Sequence, residues 1–236
     1  MSGAMAKAAE LSAFEAGFFG RLRQAALDPW LAYVEHDFVR RLAEGSLPEA
    51  SFRHYLVQDY LFLIQFARAW ALAGYKASSL EELRAAGAAM AGIVDVEMGL
   101  HVRYCAGWGL DEAAMAGTPE AAATLAYTRF VLERGMAGDL LDLQVALAPC
   151  IVGYAEIGRR LQAWPGRRRA GNRYDAWIEM YAGAAYQEVA RDAMAALERS
   201  AQRRGGQARF ADLAASFAIA TRLEARFWQM GLELGE

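Results

Sequence analysis

Residues 55–66 read YLVQDYLFLIQF: one carboxylate, Asp59, among two tyrosines, two phenylalanines, three leucines, a valine and an isoleucine. On a helix, the three- and four-residue neighbours of Asp59 are Tyr55, Leu56, Phe62 and Leu63, so the acid falls on the apolar face. A charge there is costly unless something binds it. The pattern therefore predicts both a core helix and a reason for the acid. Ser46 with Glu49 has the spacing of a capping box at the start of this helix, and the apolar period runs through Gln58 and Asp59 to about Tyr75.

The same punctuation recurs outward from this segment. Asp28-Pro29 reads as the cap and first residue of a helix that Gly45 closes. Ser79 with Glu82 precedes a run ending at GWG (107–109), Thr118-Pro119 opens EAAATLAYTRFVLERG, and Asp139 starts LLDLQVALAPCIVGYAEIGRRLQ. After the loop WPGRRRAGN (164–172), two further helical runs are predicted, from about Tyr174 to Arg203 and from Phe210 to Leu232. No stretch reads better as an alternating strand. Short connections imply mostly antiparallel neighbours, so the expectation is an all-α, single-domain helical bundle spanning 1–236, with about residues 1–10 as a flexible N-terminus.

The chain has 236 residues, 56% hydrophobic and 22% charged, with a net charge of -3. That balance offers no field for gripping nucleic acid. The N-terminus lacks the apolar core of a signal peptide, and no segment approaches about 18 uninterrupted apolar residues, so the reading is a cytoplasmic protein with no membrane partner. Cys105 and Cys150 are too few for a disulfide framework and are expected to be free thiols. Arg167–Arg169 reads as a solvated loop.

Several residues could carry chemistry. Pro149 falls inside a helical run, where it should kink the segment next to Cys150, and Tyr154 projects from the same face four residues on. Cys150 reads equally as a small core cysteine beside a structural kink. In FAIATRLEARFWQM (217–230), Glu224 shares a face with Phe217, Ala220, Thr221, Phe227 and Trp228, the second carboxylate set among aromatics. Two such acids, a thiol and several tyrosines look like a pocket for a flat, hydrogen-bonding ligand. Tyr127 and Tyr181 lie at helix-interior positions and fit either that pocket or plain core. Glu97 and His101 have the four-residue spacing of paired metal ligands, but that signal is weak with His36 and His54 the only other histidines, and an ordinary buried polar pair is the favoured reading.

Taken in order, HDFVRRLAEGSLPEASFRHYLVQDYLFL, LAYTRF, ALAPCIVGYAEIG, WIEMYAG and FAIATRLEARFW resemble the TenA family, the thiaminase II or aminopyrimidine aminohydrolases. The resemblance implies a haem-oxygenase-like helical fold without haem, a homotetramer, and no metal or cofactor. It implies hydrolysis at the methylene carbon of 4-amino-5-aminomethyl-2-methylpyrimidine, giving the hydroxymethyl pyrimidine and ammonia in thiamin salvage, and often action on thiamin itself. Cys150 then matches the family nucleophile and Glu224 its proton donor. Asp59 would bind the amino-pyrimidine edge, Tyr154 and Tyr181 would contact substrate, and Tyr127 and Phe227 would line the pocket. A glutamate among aromatics should hold its proton near neutral pH, which suits an acid.

One position departs from the family pattern. Phe62 stands where the family commonly has a tyrosine whose hydroxyl supports the cysteine, so thiolate formation must lean on other groups. A pyrimidine-binding or regulatory protein with weakened turnover is the alternative expectation. A metal-dependent oxygenase using Glu97 and His101 is a more distant one.

Overall fold

The computed structural model describes residues 13–235 and is all-α, with no strand among the described residues. The N-terminal stretch 1–10 lies outside them. After a 3-10 turn at Ala13–Glu15 come α1 (Gly17–Ala25), α2 (Leu27–Val34), α3 (Asp37–Glu44), α4 (Glu49–Lys76) and α5 (Leu80–Gly92). A π-turn, Ile93–Glu97, leads into α6 (Met98–Ala106), followed by α7 (Glu112–Ala116), α8 (Ala122–Ala137), α9 (Leu140–Gln162), α10 (Asp175–Ala182), α11 (Ala184–Arg203) and α12 (Phe210–Glu233).

Some of the predicted punctuation forms as read. Gly45 closes α3 in the left-handed region (φ +67°), where a side chain would be strained. The Ser79 side chain accepts from the Glu82 amide at the start of α5, and Asp139 Oδ1 accepts from the amides of Leu141 and Asp142 at the start of α9. The stretch from Asp28 to Gly45, however, is two helices. Its first helix starts at Leu27, and at His36 the chain turns extended while the imidazole Nδ1 accepts from the Phe38 amide 3.2 Å away, capping α3.

Three other boundaries differ from the pattern. Ser46 does not cap α4. Its hydroxyl donates to Glu44 and Pro48 holds the capping position, while Glu49 accepts from Trp108 Nε1 at 2.6 Å. Thr118-Pro119 stands ahead of α8, which starts at Ala122 with no side-chain cap of its own. Gln58 supplies the missing bonds: its Oε1 accepts from the Ala121 amide (2.9 Å) and the Thr124 hydroxyl (2.7 Å), and its Nε2 donates to the Pro119 carbonyl. Gly183, extended at ψ 152°, divides the predicted run from Tyr174 to Arg203 into α10 and α11.

Two compact units emerge. One takes in the described residues up to Leu47 together with Val145–Trp228; the other takes in Pro48–Gln144 and the described residues from Gln229 onward. The first is built on aromatics: Trp30 stacks on Phe217 (5.6 Å between centroids), Phe38 on Trp228 (5.0 Å), and Trp30, Trp177 and Trp228 are fully buried. Here Arg167 contradicts its solvated-loop reading, because its side chain is only 3% exposed and pairs with Asp175 and Glu179. Burial opposes its charge, but the two carboxylates outweigh that and raise its pKa.

In the second unit α4 packs against α5, α6 and α8. Gly135 of α8 allows a close approach, since a Cβ there would meet Leu72 at 2.8 Å and Leu143 at 2.9 Å. By length and composition two helical stretches could cross a membrane, 80–106 and 140–162. The second is mostly buried as a core helix. The first exposes Leu80, Leu83, Met90, Val94 and Val96, next to the exposed Tyr75.

Candidate active site

The candidate residues fall into two groups, one in each unit. Cys150 follows Pro149 inside α9. A proline cannot donate to the carbonyl four residues back, so the helix is weakened at that turn. Tyr33 braces it by donating its hydroxyl to the Pro149 carbonyl at 3.3 Å. Its ring lies where a Cβ on Gly153 would be, 2.3 Å from Tyr33 Cε1, so only glycine fits at 153. One turn later, a Cβ on Gly158 would lie 2.5 Å from the Tyr181 carbonyl carbon. The backbones of α9 and α10 touch there.

That contact sets Tyr181 beside Tyr154, with ring centroids 4.9 Å apart at 61°. Gln187 fixes it further, donating from Nε2 to the carbonyls of Ala155 (2.9 Å) and Tyr181 (2.8 Å). Tyr154 also meets Trp228 at 5.4 Å, and Trp228 follows Phe227 and lies four residues after Glu224 on α12. All five candidates of this unit, Cys150, Tyr154, Tyr181, Glu224 and Phe227, are buried.

Glu156, two residues after Tyr154, is fully buried and was not singled out by sequence pattern. It accepts from Arg23 Nε and Nη2 (both 3.2 Å), Trp30 Nε1 (3.0 Å) and Arg160 Nε (2.8 Å). One carboxylate thus ties α9 to α1 and α2. Such a network is costly to open, because each member loses a desolvated partner.

In the second unit Asp59 is 4% exposed on α4, as its position on the apolar face predicted. The Tyr55 hydroxyl donates to its Oδ2 at 3.0 Å, and His101 Nε2 lies 2.6 Å from the same oxygen. The other ring nitrogen, Nδ1, lies 3.0 Å from the Glu97 backbone carbonyl. Both nitrogens are therefore committed to buried polar partners, in line with the favoured polar reading over paired ligation with Glu97, although the side-chain partner is Asp59. Sequence alone could not assign it, since its partner lies 42 residues away. Phe62 packs on Tyr127 at 4.9 Å and on Phe66 at 5.5 Å, so both Phe62 and Tyr127 are buried ring contacts of α4 and α8.

Burial opposes a charge on His101, but the Asp59 hydrogen bond and charge, with the Glu97 carbonyl and carboxylate, raise its pKa above the ordinary 6.5. A group whose folded pKa is raised contributes stability that is fully present below its unfolded pKa and is lost as pH rises through the folded value. The stability difference between the native chain and His101→Asn, from urea midpoints, should therefore shrink from mildly acidic to alkaline pH. A difference independent of pH would contradict the charged pair.

A crystal structure described as a TenA family transcription regulator from Silicibacter sp. TM1040 superposes with a TM-score of 0.86 at 44% identity, over 91% of this chain and 96% of that one. An uncharacterized protein of Haemophilus influenzae is 40% identical over 215 residues, 91% of this chain and 98% of the relative. The aminopyrimidine aminohydrolase of Halalkalibacterium halodurans is 34% identical over 213 residues, 90% of this chain and 94% of the relative. The family model for TENA/THI-4/PQQC proteins matches residues 23–234, and the chain belongs to that family.

Proposed function

We propose that the chain is a hydrolase of thiamin salvage that cleaves the C–N bond at the methylene of 4-amino-5-aminomethyl-2-methylpyrimidine, with thiamin as a further substrate. The observation that carries this reading is the 34% identity to an aminopyrimidine aminohydrolase over nearly the whole of both chains. Burial of two carboxylates, a thiol and four aromatic rings at the matching positions supports it.

In this reading the Cys150 thiolate adds to the pyrimidine ring, and the displaced electron pair passes to a ring nitrogen. Return of that pair breaks the methylene C–N bond, and Glu224 gives its proton to the departing amine, which leaves as ammonia. Water adds to the methylene carbon and yields its proton, and loss of Cys150 restores the ring of the hydroxymethyl product. Asp59 accepts from the exocyclic amine, while Tyr154, Tyr181, Tyr127, Phe227 and Phe62 supply flat apolar contact and hydroxyl groups. Ammonia release from the aminomethyl pyrimidine by the purified native chain tests the proposal; no release at any substrate concentration would remove it.

A homotetramer in the cytoplasm belongs to the same proposal. The exposed stripe of Leu80, Leu83, Met90, Val94 and Val96 offers apolar surface that a second copy could cover. A pyrimidine-binding regulator is the second reading, supported by the description of the Silicibacter structure and by Phe62 in place of a tyrosine.

Phe62 gives this pair of readings a direct measurement. A thiol with an ordinary pKa near ~8.5 is mostly protonated at neutral pH, so a hydroxyl that helps draw off its proton should speed the first step. Phe62→Tyr is expected to raise the single-turnover rate by about tenfold near neutral pH, with a smaller gain in alkaline solution where thiolate is already abundant. An unchanged rate and pH profile would show that the missing hydroxyl has no part in activation.

A further inference from the structure

Asp59 is held unevenly. Among the described residues both hydrogen bonds to its carboxylate, from Tyr55 and from His101, end on Oδ2. The chemistry of His101 is fixed by its surroundings. A backbone carbonyl can only accept, so Nδ1, 3.0 Å from the Glu97 carbonyl, must carry a proton. Nε2 and Oδ2, 2.6 Å apart, then share a second proton in a charge-assisted bond. The ring is fully buried and cannot exchange these partners for water.

The backbone that delivers the ring is also unusual. The π-turn at Ile93–Glu97 sits immediately before α6, and its wider turn accommodates one extra residue. Residues beyond it point about 100° away from where an unbroken α-helix would aim them. His101 is among them. Tyr55 lies on the same helix as Asp59, four residues earlier, so it moves with the acid; His101 comes from a different helix and anchors the acid from outside.

We propose that His101 is a positioning residue: it clamps Asp59 through Oδ2 and so presents Oδ1 as a fixed acceptor that selects for ligands bearing an exocyclic amine. This rests on the reading of Asp59 as the group that binds the amino-pyrimidine edge. The torsion about a carboxylate's terminal bond is broad, so an unclamped Asp59 could turn either oxygen to a ligand or to water. Clamped, it has one oxygen already satisfied and one that needs a donor. A pyrimidine with an amine supplies that donor, and one without it leaves the acceptor buried and unmatched.

The test is ligand selectivity, which a merely structural histidine would not set. Calorimetric titration of the native chain, His101→Ala and His101→Gln would compare 4-amino-5-hydroxymethyl-2-methylpyrimidine with the analogue carrying hydrogen in place of the 4-amino group. The native chain is expected to prefer the amine by about 100-fold, and His101→Ala to lose at least about tenfold of that ratio. His101→Gln, whose amide can still donate to Asp59, should restore part of it. In the native chain the ring nitrogens of His101, read by nitrogen NMR, should shift when the amine-bearing pyrimidine binds, which covers the case of a substitution that fails to fold. An unchanged ratio in a folded His101→Ala chain, or ring signals that binding leaves unmoved, overturns the assignment. Should the native chain bind neither pyrimidine, the functional reading falls and takes this one with it; native binding with unchanged selectivity in the variants removes this inference alone.

Discussion

Cys150→Ala is expected to lower the rate of ammonia release from the aminomethyl pyrimidine by about 10⁴-fold or more, the scale on which loss of a covalent nucleophile acts. The substitution removes one sulfur from a buried position, and alanine is compatible with the helix on which it stands. Circular dichroism and the urea midpoint should therefore stay close to native, and binding of the hydroxymethyl product should persist, since the aromatic and carboxylate contacts remain. Glu224→Gln, by comparison, removes only an acid and should cost about 10²–10⁴-fold. A Cys150→Ala chain that turns over at the native rate would exclude covalent catalysis by this residue. Equal and negligible rates in both chains, with pyrimidine binding intact, would favour the regulatory reading.

The largest expected change in stability comes from a residue with no proposed contact to substrate. Glu156→Ala should lower the unfolding free energy by about 3–5 kcal/mol, because it leaves the buried Arg23 guanidinium and the Trp30 indole N–H without their common acceptor. Arg23 is the member most affected, with a side chain only 8% exposed. Arg160 keeps Glu35, at 2.7 Å, as a second partner. Glu35→Ala serves as the control: its side chain is 54% exposed and its loss should cost less than about 1 kcal/mol. Urea unfolding of the three chains measures both. Similar small effects for Glu156→Ala and Glu35→Ala would mean that water replaces the buried acceptor at little cost.

What could be read from the chain and what could not divide by the range of the interaction. Helix content followed from periodicity and from caps whose partners lie within a few residues, as at Gly45, Ser79 and Asp139. The cap of α8 was not readable, because Gln58 supplies it from 63 residues away. Nor was the buried state of Arg167, which depends on Asp175 and Glu179 folding back onto it.

The same holds for the site. The sequence by itself determined an all-α fold, the burial of Asp59 and Glu224 on apolar faces, and a thiol beside a proline inside a helix. These are properties of one helix at a time, fixed by a period of 3.6 residues. Only the tertiary structure decided that Asp59 answers to His101, that Gly153 and Gly158 exist to admit Tyr33 and the backbone of Tyr181, and that Glu156 gathers Arg23 and Trp30. Each of those joins groups distant in the chain, and a hydrogen bond or a close backbone approach leaves no periodic trace in the sequences of its two partners.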